Sequence, residues 1–366
     1  MAAEPEDPRA DALLAELTAW QRKLAHTAEA LRAAADARGG CSARDVIHQQ
    51  DKLTLYHYRP IAPPAPVGPV LIVYALVNRP YMMDLQPDRS LIRRLLELGV
   101  DVYLIDWGYP DGADRYLELD DYINGYIDRC VGAVLAHAGA PQLSLLGVCQ
   151  GGTFSLCYTA LHPERVRNLI AMVTPVDFHT DDNLLAKWVR GIDVDRLVDA
   201  YGIVPGEVLN AAYVALMPFR LLQQKYIDLV DSDGDQSQVD NFVRMEKWIF
   251  DSPGQAGEAF RQFARWFYQE NRLMRGGLAI GGQPVDLKRI TQPVLNVYGT
   301  QDHLVPPAAS TPLERLIGSR DYTALPLKLG HIGMYVSSRS QTELPQAIAY
   351  WLGRRRPSAA SPPARG

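Results

Sequence analysis

The sequence predicts an α/β fold, in which a mostly parallel sheet carries helices on both faces and is interrupted by a long helical insertion. Apolar runs of strand length alternate with helical patterns over residues 52–173 and again over 293–352, as is typical of such sheets. The insertion between these regions, about 120 residues, shows helical patterns and no convincing core strand. The chain has 366 residues, of which 47% are hydrophobic, which suits one sizeable core with an insertion.

Four segments follow from this pattern. The predicted segments are an N-terminal helix at 1–40, an α/β core at 41–174 and 293–353, a cap at 175–292 and a disordered tail at 354–366. The helix is Ala- and Leu-rich and is stopped by Gly39 and Gly40. It could bind a partner, but we favour packing on its own domain. The tail is a low-complexity sequence with a short basic cluster.

The individual elements are predicted from periodicity. Alternation of Leu53 and Leu55 with polar neighbours predicts an edge strand, whereas the continuous apolar run at 70–76 predicts a buried one. The predicted strands are 52–58, 70–76, 102–105, 143–146, 166–173, 293–298 and 322–329. The predicted core helices are 90–98, 120–138, 153–162 and 342–352. The predicted cap helices are 184–190, 207–230 with a break at Pro218, 238–250 and 256–274. Their aromatic residues suit a lid over an apolar substrate, although most should be ordinary core.

The segment Gly147-Val148-Cys149-Gln150-Gly151-Gly152 has the pattern of a nucleophile elbow, with cysteine at the nucleophile position. It lies between a predicted strand and a predicted helix, the context in which this motif is meaningful. The glycines permit a tight turn, and the following helix N-terminus favours a thiolate. The motif alone is weak evidence, because a buried cysteine is usually a small hydrophobic residue.

A cysteine nucleophile needs a base and an acid that orients the base. Asp302 follows the predicted strand 293–298, and His331 follows the strand 322–329. Either residue could simply brace a turn, but the chain order Cys149, Asp302, His331 is that of the α/β-hydrolase fold. We therefore predict this catalytic triad.

The remaining candidates are assigned by position. The oxyanion hole is predicted from the backbone N–H of Gln150 and of a residue after strand 70–76, with Val77 the first choice. Cys130 and Cys157 lie inside predicted helices, so they are expected to be buried and inert. The histidines without this strand-end context are interpreted as structural or surface groups: His26, His48, His57, His137, His162 and His179.

Composition excludes several classes. The net charge of −5 gives no electrostatic signature of nucleic-acid binding. Four cysteines form no disulfide framework, and no C-x-x-C pair suggests zinc. The N-terminus has no apolar leader, and no run reaches the roughly 18–20 apolar residues of a membrane span. We expect a cytoplasmic protein with no bound metal and no transmembrane segment.

The motifs at 147–153, 299–307 and 330–333, with Asp106-Trp107 and the loop 77–81, resemble the catalytic subunit of poly(3-hydroxyalkanoate) synthases. The similarity runs from about residue 51 to 353, and the length resembles class III, with class IV close to it. The resemblance implies polymerisation of (R)-3-hydroxyacyl-CoA, such as 3-hydroxybutyryl-CoA, with release of CoA and no cofactor.

The resemblance also implies the surroundings and the roles. It implies a companion E-type (PhaE) subunit, a homodimer as an option, and location at cytoplasmic polyester granules. Cys149 would carry the acyl group as a thioester, and His331 would activate the attacking hydroxyl, directly or with Asp302. A thioesterase or esterase with a cysteine nucleophile and a non-catalytic binding protein of the same fold stay open as alternatives.

Overall fold

A computed structural model describes residues 8–355. Within these residues, eight strands form one main sheet. The strands are β1 Arg44–Gln50, β2 Leu53–Tyr58, β3 Pro69–Val73, β4 Asp101–Asp106, β5 Leu143–Val148, β6 Val166–Met172, β7 Val294–Gly299 and β8 Tyr322–Leu327. Their order is β1-β2-β4-β3-β5-β6-β7-β8. Strands β1 and β2 are antiparallel to their neighbours, and all other pairs are parallel. The predicted α/β architecture is confirmed.

Helices precede, connect and follow these strands. In the part of the chain before β7, they are α1 Pro8–Ala33, α2 Leu91–Glu97, α3 Asp128–Ala138, α4 Gln150–Leu161, α5 Leu184–Arg190, α6 Val194–Tyr201, α7 Gly206–Ala215, α8 Lys225–Asp231, α9 Gln236–Phe250, α10 Gly257–Phe263 and α11 Arg272–Arg275. After β7 come α12 Pro307–Ser310, α13 Leu313–Leu316, α14 Gly333–Val336 and α15 Ser338–Gly353. In the described part of the chain, three π-helical segments adjoin these helices: Asp121–Ile127, Arg220–Gln224 and Ala264–Gln269.

Two predictions about the strands were wrong. The strand predicted at 70–76 ends at Val73, because the chain turns into a loop there. The loop residues Tyr74, Ala75 and Leu76 are buried as deeply as the strand, so hydrophobicity does not mark the boundary. The strand predicted at 52–58 was expected to lie at an edge of the sheet. It is β2 and lies second, and β1 forms that edge. Strand β1 has the polar sequence RDVIHQQ, which reads as a loop.

The boundaries of several helices also differ from prediction. Helix α4 begins at Gln150, directly after Cys149, and not at the predicted residue 153. Helix α15 begins at Ser338, where Ser337 caps it by accepting a hydrogen bond from the Ser340 N–H. The earlier start of α4 matters most, because it places the nucleophile motif at a helix N-terminus.

The two faces of the sheet bury separate sets of side chains. Leu71 and Val73 of β3 belong to a large apolar cluster that includes residues of α3 and α4. Side chains alternate along a strand, so Val70 and Ile72 point to the other face; both are fully buried. Helix α2 packs against α15 outside the first cluster. The rigid sheet thereby holds the loops at its carboxyl edge.

The chain divides into two compact units. The larger unit comprises Gly40–Leu209 and Ser252–Gly366 and contains the main sheet. The smaller comprises Met1–Gly39 and Asn210–Asp251. Within the smaller unit, Ala30 and Ala34 at the end of the N-terminal helix pack with Leu229 and Val239.

The predicted tail lies outside the described residues from position 356 onward. Its first two residues, Arg354 and Arg355, are described and differ from the predicted disorder: Arg354 caps the end of α15, and Arg355 binds Asp321 with Nε at 2.8 Å from Oδ2. Among the described helices, none is long and apolar enough to span a membrane.

Candidate active site

The segment around Cys149 forms a sharp turn between β5 and α4. Cys149 itself has φ 54° and ψ −122°, a strained backbone conformation for a residue with a side chain. The Cys149 N–H donates to the Met172 carbonyl at 2.9 Å, which ties the turn to β6. Cys149 is partly exposed, whereas every residue of α4 behind it is buried. The turn therefore presents the sulfur at the carboxyl edge of the sheet.

The glycines of this turn are required by close packing. A Cβ at Gly151 would collide with the backbone carbonyls of Val73 and Tyr74, and one at Gly152 would collide with the Thr174 side chain. Because the first obstacle is backbone, it cannot move aside as a flexible side chain could. Glycine thus lets the elbow helix lie directly against β3 and the loop that follows it.

Asp302 and His331 lie together at the ends of neighbouring strands. Asp302 follows β7, His331 follows β8, and these strands pair in parallel. Oδ2 of Asp302 lies 2.7 Å from Nδ1 of His331. Oδ1 of Asp302 accepts hydrogen bonds from the N–H groups of Leu304 and Val305, both at 2.9 Å. The carboxylate is thereby fixed by its own loop and presents one oxygen to the imidazole.

The imidazole of His331 is electrostatically coupled to both Asp302 and Cys149. Burial by itself lowers the pKa of His331, but the negative charges of Asp302 and Cys149 and their hydrogen bonds outweigh it and raise the pKa to about 10. The structure therefore brings the three residues predicted as a triad into one interacting group.

The loop of residues 74–79 lies beside the elbow. Its Leu76 N–H donates to Oε1 of Gln150 at 3.1 Å, so this amide is engaged by the residue that follows the nucleophile. Val77, the predicted second oxyanion donor, is the next residue. Gln150, the other predicted donor, is the first residue of α4, where backbone N–H groups lack partners within the helix.

Residues at the end of β4 and directly after it contact the same loop. Nε1 of Trp107 donates to the Tyr74 carbonyl at 2.9 Å. Nη2 of Arg79 lies 2.7 Å from Oδ2 of Asp106, and the two side chains are only 15% and 10% exposed. Asp106 and Trp107, noted in the sequence for their resemblance to a family motif, are therefore structural neighbours of the loop.

Two buried tyrosines at the site were missed by the sequence reasoning. The hydroxyl of Tyr335 lies 3.4 Å from Nε2 of His331, and the Tyr74 and Tyr335 rings are 6.3 Å apart. Burial and the charge of Cys149 raise the pKa of both phenols, which stay neutral. Tyr335 could have been suspected from its spacing, because it lies four residues after His331 on the following helical turn.

The rival thiols do not share this environment. Cys130 and Cys157 are fully buried, as predicted, and burial raises the pKa of each to about 12. A thiol with such a pKa is a poor nucleophile at neutral pH. Of the other histidines, His162 contacts Asn124 and His57 contacts Asp101.

The aromatic residues of the insertion divide by exposure. Phe263 and Phe267 are buried in the main core, where Phe263 packs edge-on against Phe154 of the elbow helix at 5.8 Å. Trp188, Phe219, Tyr226 and Phe250 are exposed. The described residues contain no group of three or more His, Cys, Asp or Glu side chains that could hold a metal ion.

Comparison with known proteins places these features in a family. A model described as "alpha/beta hydrolase fold" matches residues 68–336, and one described as "Poly-beta-hydroxybutyrate polymerase (PhaC) N-terminus" matches residues 35–95. A poly(3-hydroxyalkanoate) polymerase subunit PhaC from Allochromatium vinosum is 56% identical over 353 residues, covering 96% of this chain and 99% of that protein. The chain belongs to the poly(3-hydroxyalkanoate) polymerase family.

Other relatives agree with this assignment to the polymerase family. The polymerase subunit PhaC from Synechocystis sp. is 50% identical over 328 residues, covering 87% of this chain and 86% of that protein. Among solved structures, a monoacylglycerol lipase from Paleococcus ferrophilus superposes with a TM-score of 0.54 at 17% identity, covering 83% of this chain and all of the lipase. This likeness supports the α/β-hydrolase fold alone.

Proposed function

We propose that the chain polymerises (R)-3-hydroxyacyl-CoA into a polyester with release of CoA, through a thioester on Cys149. The observation that carries the proposal is the buried Asp302–His331 pair coupled to Cys149, in a chain 56% identical to a poly(3-hydroxyalkanoate) polymerase subunit. The fold alone supports hydrolysis and acyl transfer equally well.

In the first step His331 Nε2 takes the thiol proton of Cys149, and the thiolate attacks the thioester carbonyl of the substrate. The resulting tetrahedral oxyanion is stabilised by backbone N–H groups, for which Gln150 and Val77 are our candidates. Collapse breaks the bond to the CoA sulfur, and the CoA thiolate takes the proton back from His331. The acyl group stays activated because one thioester replaces another.

In the second step the 3-hydroxyl of another hydroxyacyl group attacks the acyl–Cys149 thioester. His331, oriented by Asp302, removes the hydroxyl proton as the ester bond forms. The bond to the Cys149 sulfur then breaks, and the thiolate regains a proton from His331. Each cycle joins one hydroxyacyl unit and releases one CoA, and no cofactor enters the balance.

We further propose the surroundings that this reaction requires. The insertion at 175–292 serves as a cap. Polymer growth requires that a substrate hydroxyl attacks the acyl–Cys149 thioester before water hydrolyses it, and a cap would exclude water. We propose a companion E-type subunit, with the class III arrangement, and location at cytoplasmic polyester granules. These assignments extend the family resemblance and are testable by copurification.

The test is incubation of the purified chain with 3-hydroxybutyryl-CoA, with and without the companion subunit. CoA release is followed by thiol titration, and the product is identified by mass spectrometry. Formation of polymer would support the proposed polymerase activity. Formation of free 3-hydroxybutyrate would show that the chain is a thioesterase. No CoA release in either condition would refute both the polymerase and the thioesterase activity. The variant Cys149→Ala run in parallel shows whether any CoA release depends on this thiol.

A further inference from the structure

The loop of residues 74–79 is held in place by side chains to which the reaction scheme gives no role. Nε1 of Trp107 donates to the Tyr74 carbonyl at 2.9 Å. The Oε1 atom of Gln150 accepts the Leu76 N–H at 3.1 Å. Two consecutive peptide units after β3 are therefore fixed by hydrogen bonds from outside the loop.

These two anchors come from different parts of the fold. Gln150 is the first residue of α4, directly after the nucleophile, and Trp107 follows β4. The end of the loop is tied a third time by the ion pair between Arg79 and Asp106, the residue before Trp107. The loop is thus clamped between the elbow and the end of β4.

Because the hydrogen bonds to Tyr74 and from Leu76 involve buried residues, their loss should destabilise the loop. Gln150 is 6% exposed and Tyr74 4% exposed, so water cannot easily replace a lost partner. A buried polar group left without a partner is destabilised by about 1–3 kcal/mol, which the loop can relieve by moving. Because Tyr74 lies directly against Gly151, movement of the loop also changes its distance from the nucleophile turn.

We infer that the side chains of Gln150 and Trp107 are positioning residues for the oxyanion hole. The inference rests on the proposed function in one respect, namely that Cys149 is the nucleophile. Oxyanion donors contribute only when they are fixed before the charge develops, and placement within about 0.5 Å is required. Gln150 then has two roles: its N–H is a candidate donor, and its side chain holds the loop that carries the second one.

The test compares two reactions of Cys149 in the variants Gln150→Met and Trp107→Phe. Acylation by p-nitrophenyl acetate passes through an oxyanion, whereas alkylation by iodoacetamide displaces iodide without one. We expect acylation to slow about tenfold, less than for loss of a donor itself, while alkylation changes by less than about twofold. The rates are measured from the nitrophenolate burst and from mass spectrometry of the peptide that contains Cys149.

Gln142→Met is the matched control, because Gln142 is partly exposed, precedes β5 at the end opposite Cys149 and donates to the Glu164 carbonyl. It should react as the wild type does with both reagents. Equal slowing of acylation and alkylation in Gln150→Met would show general damage to the elbow and overturn the inference. Unchanged acylation in both variants would overturn it as well.

The choice of ester separates this inference from the proposed function. Neither CoA nor a hydroxyl acceptor takes part, so acylation of Cys149 by p-nitrophenyl acetate tests the loop even if 3-hydroxybutyryl-CoA releases no CoA. If p-nitrophenyl acetate acylates Cys149 but 3-hydroxybutyryl-CoA releases no CoA, only the polymerase proposal is refuted. Failure of wild-type Cys149 to react with either ester refutes both.

Discussion

Oδ2 of Asp302 lies 2.7 Å from Nδ1 of His331, with both side chains buried. Oδ1 of Asp302 accepts hydrogen bonds from two backbone N–H groups of its own loop. The carboxylate therefore cannot rotate without breaking these two hydrogen bonds. The pair therefore favours the tautomer of His331 with the proton on Nδ1, which leaves Nε2 as the atom that would take the Cys149 proton in the proposed reaction.

Asp302→Asn should remove the preference of His331 for the tautomer with the proton on Nδ1, while preserving the loop that carries residue 302. The amide oxygen can keep both backbone bonds, but the amide NH₂ then faces Nδ1 and favours the tautomer with the proton on Nε2. We expect acylation of Cys149 to slow by roughly 10²- to 10⁴-fold, measured as single-turnover CoA release. Asp101→Asn is the control, because Asp101 contacts His57 at 2.7 Å in a similar pair; comparable losses in both variants would contradict the assignment.

The same pair should make stability depend on pH. The folded pKa of His331, about 10, lies above its ordinary value of 6.5, so its protonation stabilises the native state. This contribution is complete below pH 6.5, declines between 6.5 and about 10, and is absent above. Denaturant unfolding at pH 6, 8 and 10 should show the stability gap between wild type and Asp302→Asn narrowing as pH rises. A gap that stays constant would argue against the raised pKa.

Cys149→Ala should eliminate CoA release and also lower the pKa of His331, because the charge and hydrogen bond of Cys149 help raise it. Thiol titration and NMR of the imidazole measure the two effects separately. Cys157→Ala is the control, since Cys157 is fully buried and its pKa is raised to about 12. It should retain CoA release, and its loss would point to a second functional thiol.

Gly151→Ala should both destabilise the protein and slow acylation. Its Cβ would meet the backbone carbonyls of Val73 and Tyr74, and such overpacking costs about 1–3 kcal/mol. Gly132 in α3 is the matched position, where the nearest atom to a new Cβ is a side-chain nitrogen of Arg165 at 3.9 Å. Gly132→Ala should be neutral or stabilising by roughly 0.5–1 kcal/mol. Thermal unfolding and burst kinetics of both variants test the contrast.

Arg79→Met should destabilise the fold by about 3–5 kcal/mol, because it removes the cation that is directly bonded to the buried carboxylate of Asp106. The ion pair between Arg59 and Asp45 is the comparison, with side chains 63% and 50% exposed. Arg59→Met should leave stability nearly unchanged, since solvent screens an exposed pair. Denaturant midpoints measure the stability loss of each variant. Equal losses in Arg79→Met and Arg59→Met would show that burial of the Arg79–Asp106 pair does not add to its contribution.

The sequence by itself determined the fold class and brought out Cys149, Asp302 and His331. Short apolar strands alternating with helices are a local pattern, and residues just after parallel strands converge at one edge of the sheet. The predicted strand ends at positions 146, 298 and 329 could therefore be linked from the sequence alone. Local patterns failed at β1, whose polar sequence shows no strand period, and at Val73, where the strand ends inside a buried apolar run.

Only the tertiary structure decided how these residues are supported. The contacts from Trp107 to Tyr74, from Gln150 to Leu76 and from Tyr335 to His331 join side chains to particular atoms of separate elements. The first depends on the sheet order that places β4 beside β3, which no local periodicity encodes. Hydrogen-bond partners are selected by distances of a few ångströms, and those distances exist only once the sheet has assembled.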